Sequence, residues 1–96
     1  MSSTLIYHLK EMVKDRYVLE QKIFAVDDFR RFPDGIKYRL VFIDTETDSR
    51  VLMDNHHPKG HHIHLDDQEF SYLYLGEGQL VDDFKKYIFQ HLGVRI

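Results

Sequence analysis

Residues 55–65 read NHHPKGHHIHL, placing five of the chain's seven histidines and one lysine in a stretch that contains no acid. Asp54 precedes the run, and Asp66 and Asp67 follow it. Imidazoles titrate near neutrality, so two of them beside an ammonium can cut RNA without a metal. One takes the 2′-hydroxyl proton, one returns a proton to the leaving oxygen, and the cation stabilises the phosphorane. Lys59, His62 and His64 are the candidate set. His62 and His64 on an extended strand face the same way, about 6.5 to 7 Å apart. Gly60 could let the backbone approach a phosphate, and Glu69 and Glu20 are candidate carboxylates to orient an imidazole.

The same residues support a metal reading. His62 and His64 could offer two nitrogens to zinc or another divalent ion that favours imidazole, with His57 or His56 folding over as a third ligand. Lys59 counts against it, because an ammonium beside a dication is repulsive, and no HExxH-type spacing supports it. The plainest alternative is a solvated loop between strands, serving at most as a partner-binding surface in a non-enzymatic module.

The rest of the composition narrows the setting. Ninety-six residues make a single domain, 1–96, and 43% hydrophobic content with seven Phe and six Tyr is enough for a core. There is no cysteine, which excludes disulfides and thiolate-ligated zinc and suits a reducing cytoplasm. No apolar run reaches the roughly 18 residues of a membrane span, and the N-terminus lacks a signal-peptide core. Formal charge is −3 with neutral histidines and becomes positive when all seven are protonated. Affinity for a polyanion must therefore be local. Lys37 and Arg39, on one strand face, are candidate contacts to RNA.

Several elements must position these groups. Residues 4–26 read as two strands around a turn at Lys14-Asp15-Arg16, with an amphipathic helix as the rival for the first. Residues 27–35 form a loop containing Pro33 and Asp34-Gly35. IKYRLVFID, 36–44, is the clearest strand, with Ile36, Tyr38, Leu40 and Phe42 on one face. A turn leads to Val51-Leu52-Met53, and FSYLYL, 70–75, reads as a further strand. The spacing of Leu80, Phe84, Ile88 and Leu92 predicts a helix over 78–92, with Asp82 and Asp83 near its start and Gly93 as its cap. The expected fold is α+β: an antiparallel meander of five or six strands with a C-terminal helix across one face. An exposed edge strand could pair across a two-fold axis to give a homodimer.

Leu5-Ile6-Tyr7, Glu20, Lys37-Tyr38-Arg39-Leu40, Asp54-Asn55, Lys59-Gly60, His62, His64, Glu69, Tyr72 and Asp83-Phe84 together resemble the TumE-like toxins of prokaryotic toxin–antitoxin pairs. The resemblance spans almost the whole chain through the order of its pieces. It implies a cytoplasmic toxin acting on RNA, a helix-turn-helix DNA-binding antitoxin as partner, and Asn55 among the substrate-binding positions. Two departures stand out. His61 and Ile63 occupy positions where the family pattern has aspartate and arginine. Met53 replaces an aromatic residue.

Overall fold

The computed structural model describes residues 3–96. Six strands, β1 (Ser3–Val13), β2 (Tyr17–Val26), β3 (Ile36–Asp44), β4 (Arg50–Asp54), β5 (His62–Leu65) and β6 (Gln68–Ser71), precede one helix, α1 (Glu77–Leu92). The strands lie in sequence order in a single sheet, each antiparallel to the next. This is the α+β meander that the sequence predicts. β1 is a strand, so the helical rival for its segment does not hold. No helix among the described residues is long and apolar enough to cross a membrane.

Strand alternation divides the sheet into two chemically distinct faces. One carries Ile23, Tyr38, Leu40, Phe42, Val51, Met53 and Ile63, and α1 lays Leu80, Phe84 and Ile88 onto this cluster. Burying each of these large side chains contributes roughly 1.5–3 kcal/mol, so the helix-covered face holds the fold together. The other face has no covering element among the described residues. On it the cross-strand pairing lines up two rows: Lys22, Arg39, Asp54 and His62, then Glu20, Val41, Leu52, His64 and Glu69.

Turn chemistry sets the registers. Lys14 and Asp15 both take positive φ, 54° and 53°, the geometry of a tight hairpin turn whose twist matches that of the strands. Arg16 then clamps that turn to the end of β3. Its Nε donates to Asp44 Oδ1 at 2.9 Å and its Nη2 to Oδ2 at 2.8 Å. This fork holds the Asp44 carboxyl down at about 2.

The helix ends at Gly93, left-handed at φ 70°, whose N–H reaches Phe89 O at 2.8 Å. Its start lacks a side-chain cap, and Glu77 is the only first-turn acid. Asp82 and Asp83 thus lie beyond the first turn, later than predicted. Asp83 is a tether instead, accepting from the Tyr72 hydroxyl at 2.6 Å and Gln79 Nε2 at 2.8 Å. The predicted strand over 70–75 also ends early, at Ser71. One last backbone bond, Tyr72 N–H to His61 O at 3.1 Å, closes the ladder. Tyr72 and Tyr74 then pack against the core while Leu73 and Leu75 remain exposed.

Candidate functional site

β5 is only four residues long, and its register determines what the histidines can do. Ile63 pairs with Met53 and Phe70 on the helix side, so His62 and His64 stand on the open face. His64 pairs with Glu69 across the β5–β6 hairpin, which turns at Asp66 (φ 56°). Glu69 Oε1 becomes the hub. Lys59 Nζ donates to it at 2.8 Å, His64 Nε2 lies 3.5 Å away, and His62 Nε2 lies 3.6 Å away. The two imidazoles meet edge to face, with centroids 4.8 Å apart. The Lys59 hydrogen bond, partly opposed by desolvation, lowers the pKa of Glu69, and the charge of Lys59 acts the same way. The hub is therefore a carboxylate at neutral pH. A cleft of ≈ 240 Å³ opens beside it, lined by Lys59, His61, His62, Glu69, Phe70 and Ser71.

Access separates the two imidazoles. The His64 side chain is 30% exposed, whereas that of His62 is only 5% exposed. His62 Nδ1 sits 2.8 Å from Gly60 O. A carbonyl can only accept, so Nδ1 carries the proton. His62 Nε2 is buried without a hydrogen bond, although Asp54 Oδ1 is 2.8 Å away. At that separation only direction can fail: the oxygen lies off the line along which a ring proton would point.

The other sequence candidates are distributed unevenly. Arg39 is the cross-strand partner of Asp54 and borders the cluster. Lys37 lies farther along β3, its ammonium 5.9 Å from the Phe32 ring centroid. Glu20 is on the correct face but three strands from β5, roughly 14 Å at ordinary strand spacing. Its imidazole neighbour is His8, at 3.8 Å, so it does not orient His62 or His64.

Asn55 is buried, and both ends of its amide are engaged. Oδ1 accepts from Tyr38 N–H and Nδ2 donates to Ile36 O, each at 2.9 Å. It clamps the start of β3 to the end of β4 rather than offering a free group to substrate. Gly60 supplies a left-handed turn, φ 76°, with open space where a Cβ would stand. His57, one of the two residues predicted as a third metal ligand, points elsewhere and lines a cleft with Asp28, Arg30 and Arg31.

His61 and Ile63, which depart from the toxin-like pattern, have structural roles here. Ile63 is 1% exposed and belongs to the core. His61 docks the start of β5: it stacks on Tyr74 at 4.6 Å, with Nδ1 2.9 Å from the Tyr38 hydroxyl and Nε2 2.7 Å from Asp34 Oδ2. Burial raises the Tyr38 pKa, so its phenol stays protonated and donates to Nδ1, leaving Nε2–H for Asp34.

Sequence reasoning missed Asp54 as a site residue and offered His56 only as an alternative to His57 for a third metal ligand. His56 Nδ1 lies 3.4 Å from Asp54 Oδ1, and its ring meets that of His62 edge to face at 5.4 Å. The available signal was Asp54 itself, which ends β4 just before the histidine run and faces His62 across the hairpin. No family model, curated protein or solved structure matches this chain.

Proposed function

We propose that this chain is the toxin half of a toxin–antitoxin pair and cleaves RNA with its own side chains, without a metal. The convergence of Lys59, His62 and His64 on one oxygen, Glu69 Oε1, carries the reading. Glu69, held ionised, takes the 2′-hydroxyl proton. The freed oxygen attacks the adjacent phosphorus, forming the O2′–P bond. The P–O5′ bond breaks, and protonated His64, the exposed imidazole of the pair, gives its proton to the departing oxygen. The products are a 2′,3′-cyclic phosphate and a 5′-hydroxyl.

Lys59 is placed to stabilise the charge that builds on the phosphorane. His62, with its Nε2 out of solvent reach, is a positioning residue that fixes the start of β5 through its Nδ1 hydrogen bond to Gly60 O. Arg39 and Lys22, neighbours across β2 and β3 on the same open face, offer phosphate contacts leading away from the cleft.

The resemblance to TumE-like toxins supports the toxin class. It also makes a helix-turn-helix DNA-binding antitoxin the expected partner, encoded by an adjacent small reading frame. The test is incubation of the purified chain with single-stranded RNA in the presence of a chelator. Cleavage is expected, with DNA of the same sequence left intact because it lacks the 2′-hydroxyl. Removing one acid–base group typically costs 10²–10⁴-fold in rate, so His64→Ala should fall by that much while remaining folded. If His64→Ala cleaves RNA at the parent rate, the assignment is wrong.

A further inference from the structure

We infer that Asp54, His56 and His62 form a binding site for one zinc-like divalent cation, beside the RNA-cleaving groups and not part of their chemistry. The argument begins with the His62 ring. Its Nδ1 proton is committed to Gly60 O at 2.8 Å, which leaves Nε2 with a lone pair in the neutral ring. Such an arrangement, with one nitrogen tied to a backbone carbonyl and the other bare, is how ligating histidines are usually held. This Nε2 is buried and makes no hydrogen bond among the described residues. A buried polar atom without a partner is costly, and something must compensate for it.

The surroundings indicate a cation. Asp54 Oδ1 lies 2.8 Å from His62 Nε2, off the direction of a ring proton. Donor and acceptor in a hydrogen bond point at each other. Ligands of one metal point at a shared third place and lie side by side. His56 Nδ1 is 3.4 Å from the same Asp54 oxygen, and the three donor atoms lie within 4.8 Å of one another. For zinc bonds of about 2.0–2.1 Å, tetrahedral ligands stand roughly 3.4 Å apart. Small side-chain adjustments would close the set, leaving one position open. Two imidazoles and one carboxylate suit zinc better than magnesium, which prefers oxygen ligands.

A competing trio, His62, His64 and Glu69, shares the same Nε2. Its carboxylate oxygen already holds the Lys59 ammonium at 2.8 Å, and a dication there would face that charge directly. Among the described residues no lysine or arginine forms an ion pair with Asp54, although Arg39 is its cross-strand neighbour, and exposed His56 provides an entry path.

The experiment is titration of the metal-free chain with zinc chloride by calorimetry, with magnesium chloride as control. One equivalent of zinc and no magnesium uptake is expected for the parent. His56→Ala, at an exposed position that leaves the core intact, should weaken zinc binding at least tenfold. Asp54→Asn should do the same, and His64→Ala and His57→Ala should stay within about twofold, the fold of each variant being checked by circular dichroism. No zinc uptake by the parent, or parental affinity in His56→Ala, would overturn the proposal. So would a loss in His64→Ala that His56→Ala does not share. None of these readouts depends on RNA cleavage, so either proposal can fail alone.

Discussion

Ile63 is the residue on which the geometry of the site turns. It is 1% exposed and occupies the helix-facing position of β5, between the two histidines that face the other way. Side chains alternate strictly along a strand, so whichever force buries Ile63 also presents His62 and His64 on the open face. Truncation to alanine leaves a cavity beneath α1, and buried Ile→Ala changes cost about 2–5 kcal/mol. A domain of this size has only roughly 5–15 kcal/mol in total. Each kcal/mol shifts the midpoint by about 4–8 °C in such a domain, so a loss of ~3 kcal/mol lowers it by roughly 12–24 °C. The assay is thermal and urea unfolding followed by circular dichroism, with His64→Ala as the control. His64 is on the open face, and its truncation should cost about 1 kcal/mol or less. An Ile63→Ala variant melting within about 2 °C of the parent, with His64→Ala strongly destabilised, would mean that β5 faces the other way.

Asp44 gives a pH-dependent prediction with a definite sign. Its folded pKa lies below the ordinary 3.8, at about 2, chiefly through the Arg16 hydrogen bonds, so the stability it contributes is present above the ordinary value and lost as pH falls through the folded one. Acid titration should therefore show Asp44→Asn with a flatter fall in stability between about pH 4 and pH 2 than the parent, and parallel curves would refute the clamp. Tyr38→Phe leaves His61 Nδ1 without its 2.9 Å donor and should cost about 1–3 kcal/mol in urea unfolding. No change would show that the His61 dock contributes nothing.

The elements with clean periodicity were legible in the sequence, because there the local pattern and the tertiary demand agree. β3 alternates through nine residues with its apolar side buried, and α1 buries Leu80, Phe84 and Ile88. The segment after Ser71 misleads for a physical reason. Tyr72 and Tyr74 alternate as a strand would, but Tyr72 is drawn to Asp83 on the helix and the sheet ends. Lys59, His62, His64 and Glu69 were legible because three of them fall on one short hairpin and its register brings them together. Glu20 was not separable from them, since sharing a face says nothing about how many strands intervene. Asn55 entered the substrate-binding set through the resemblance and His61 stood out only as a departure from its pattern; the partners on Tyr38, Ile36 and Asp34 reveal the structural work of both. The Asp54–His56–His62 group spans two strands and a loop, which no linear spacing encodes.

The most direct measurement is the chemistry of the RNA ends left after incubation with the metal-free chain. Transfer between Glu69, His64 and the 2′-hydroxyl must leave 2′,3′-cyclic phosphates and 5′-hydroxyls, at a rate that collapses in His64→Ala. Fragments bearing 5′-phosphates, or RNA that stays intact, would contradict the account.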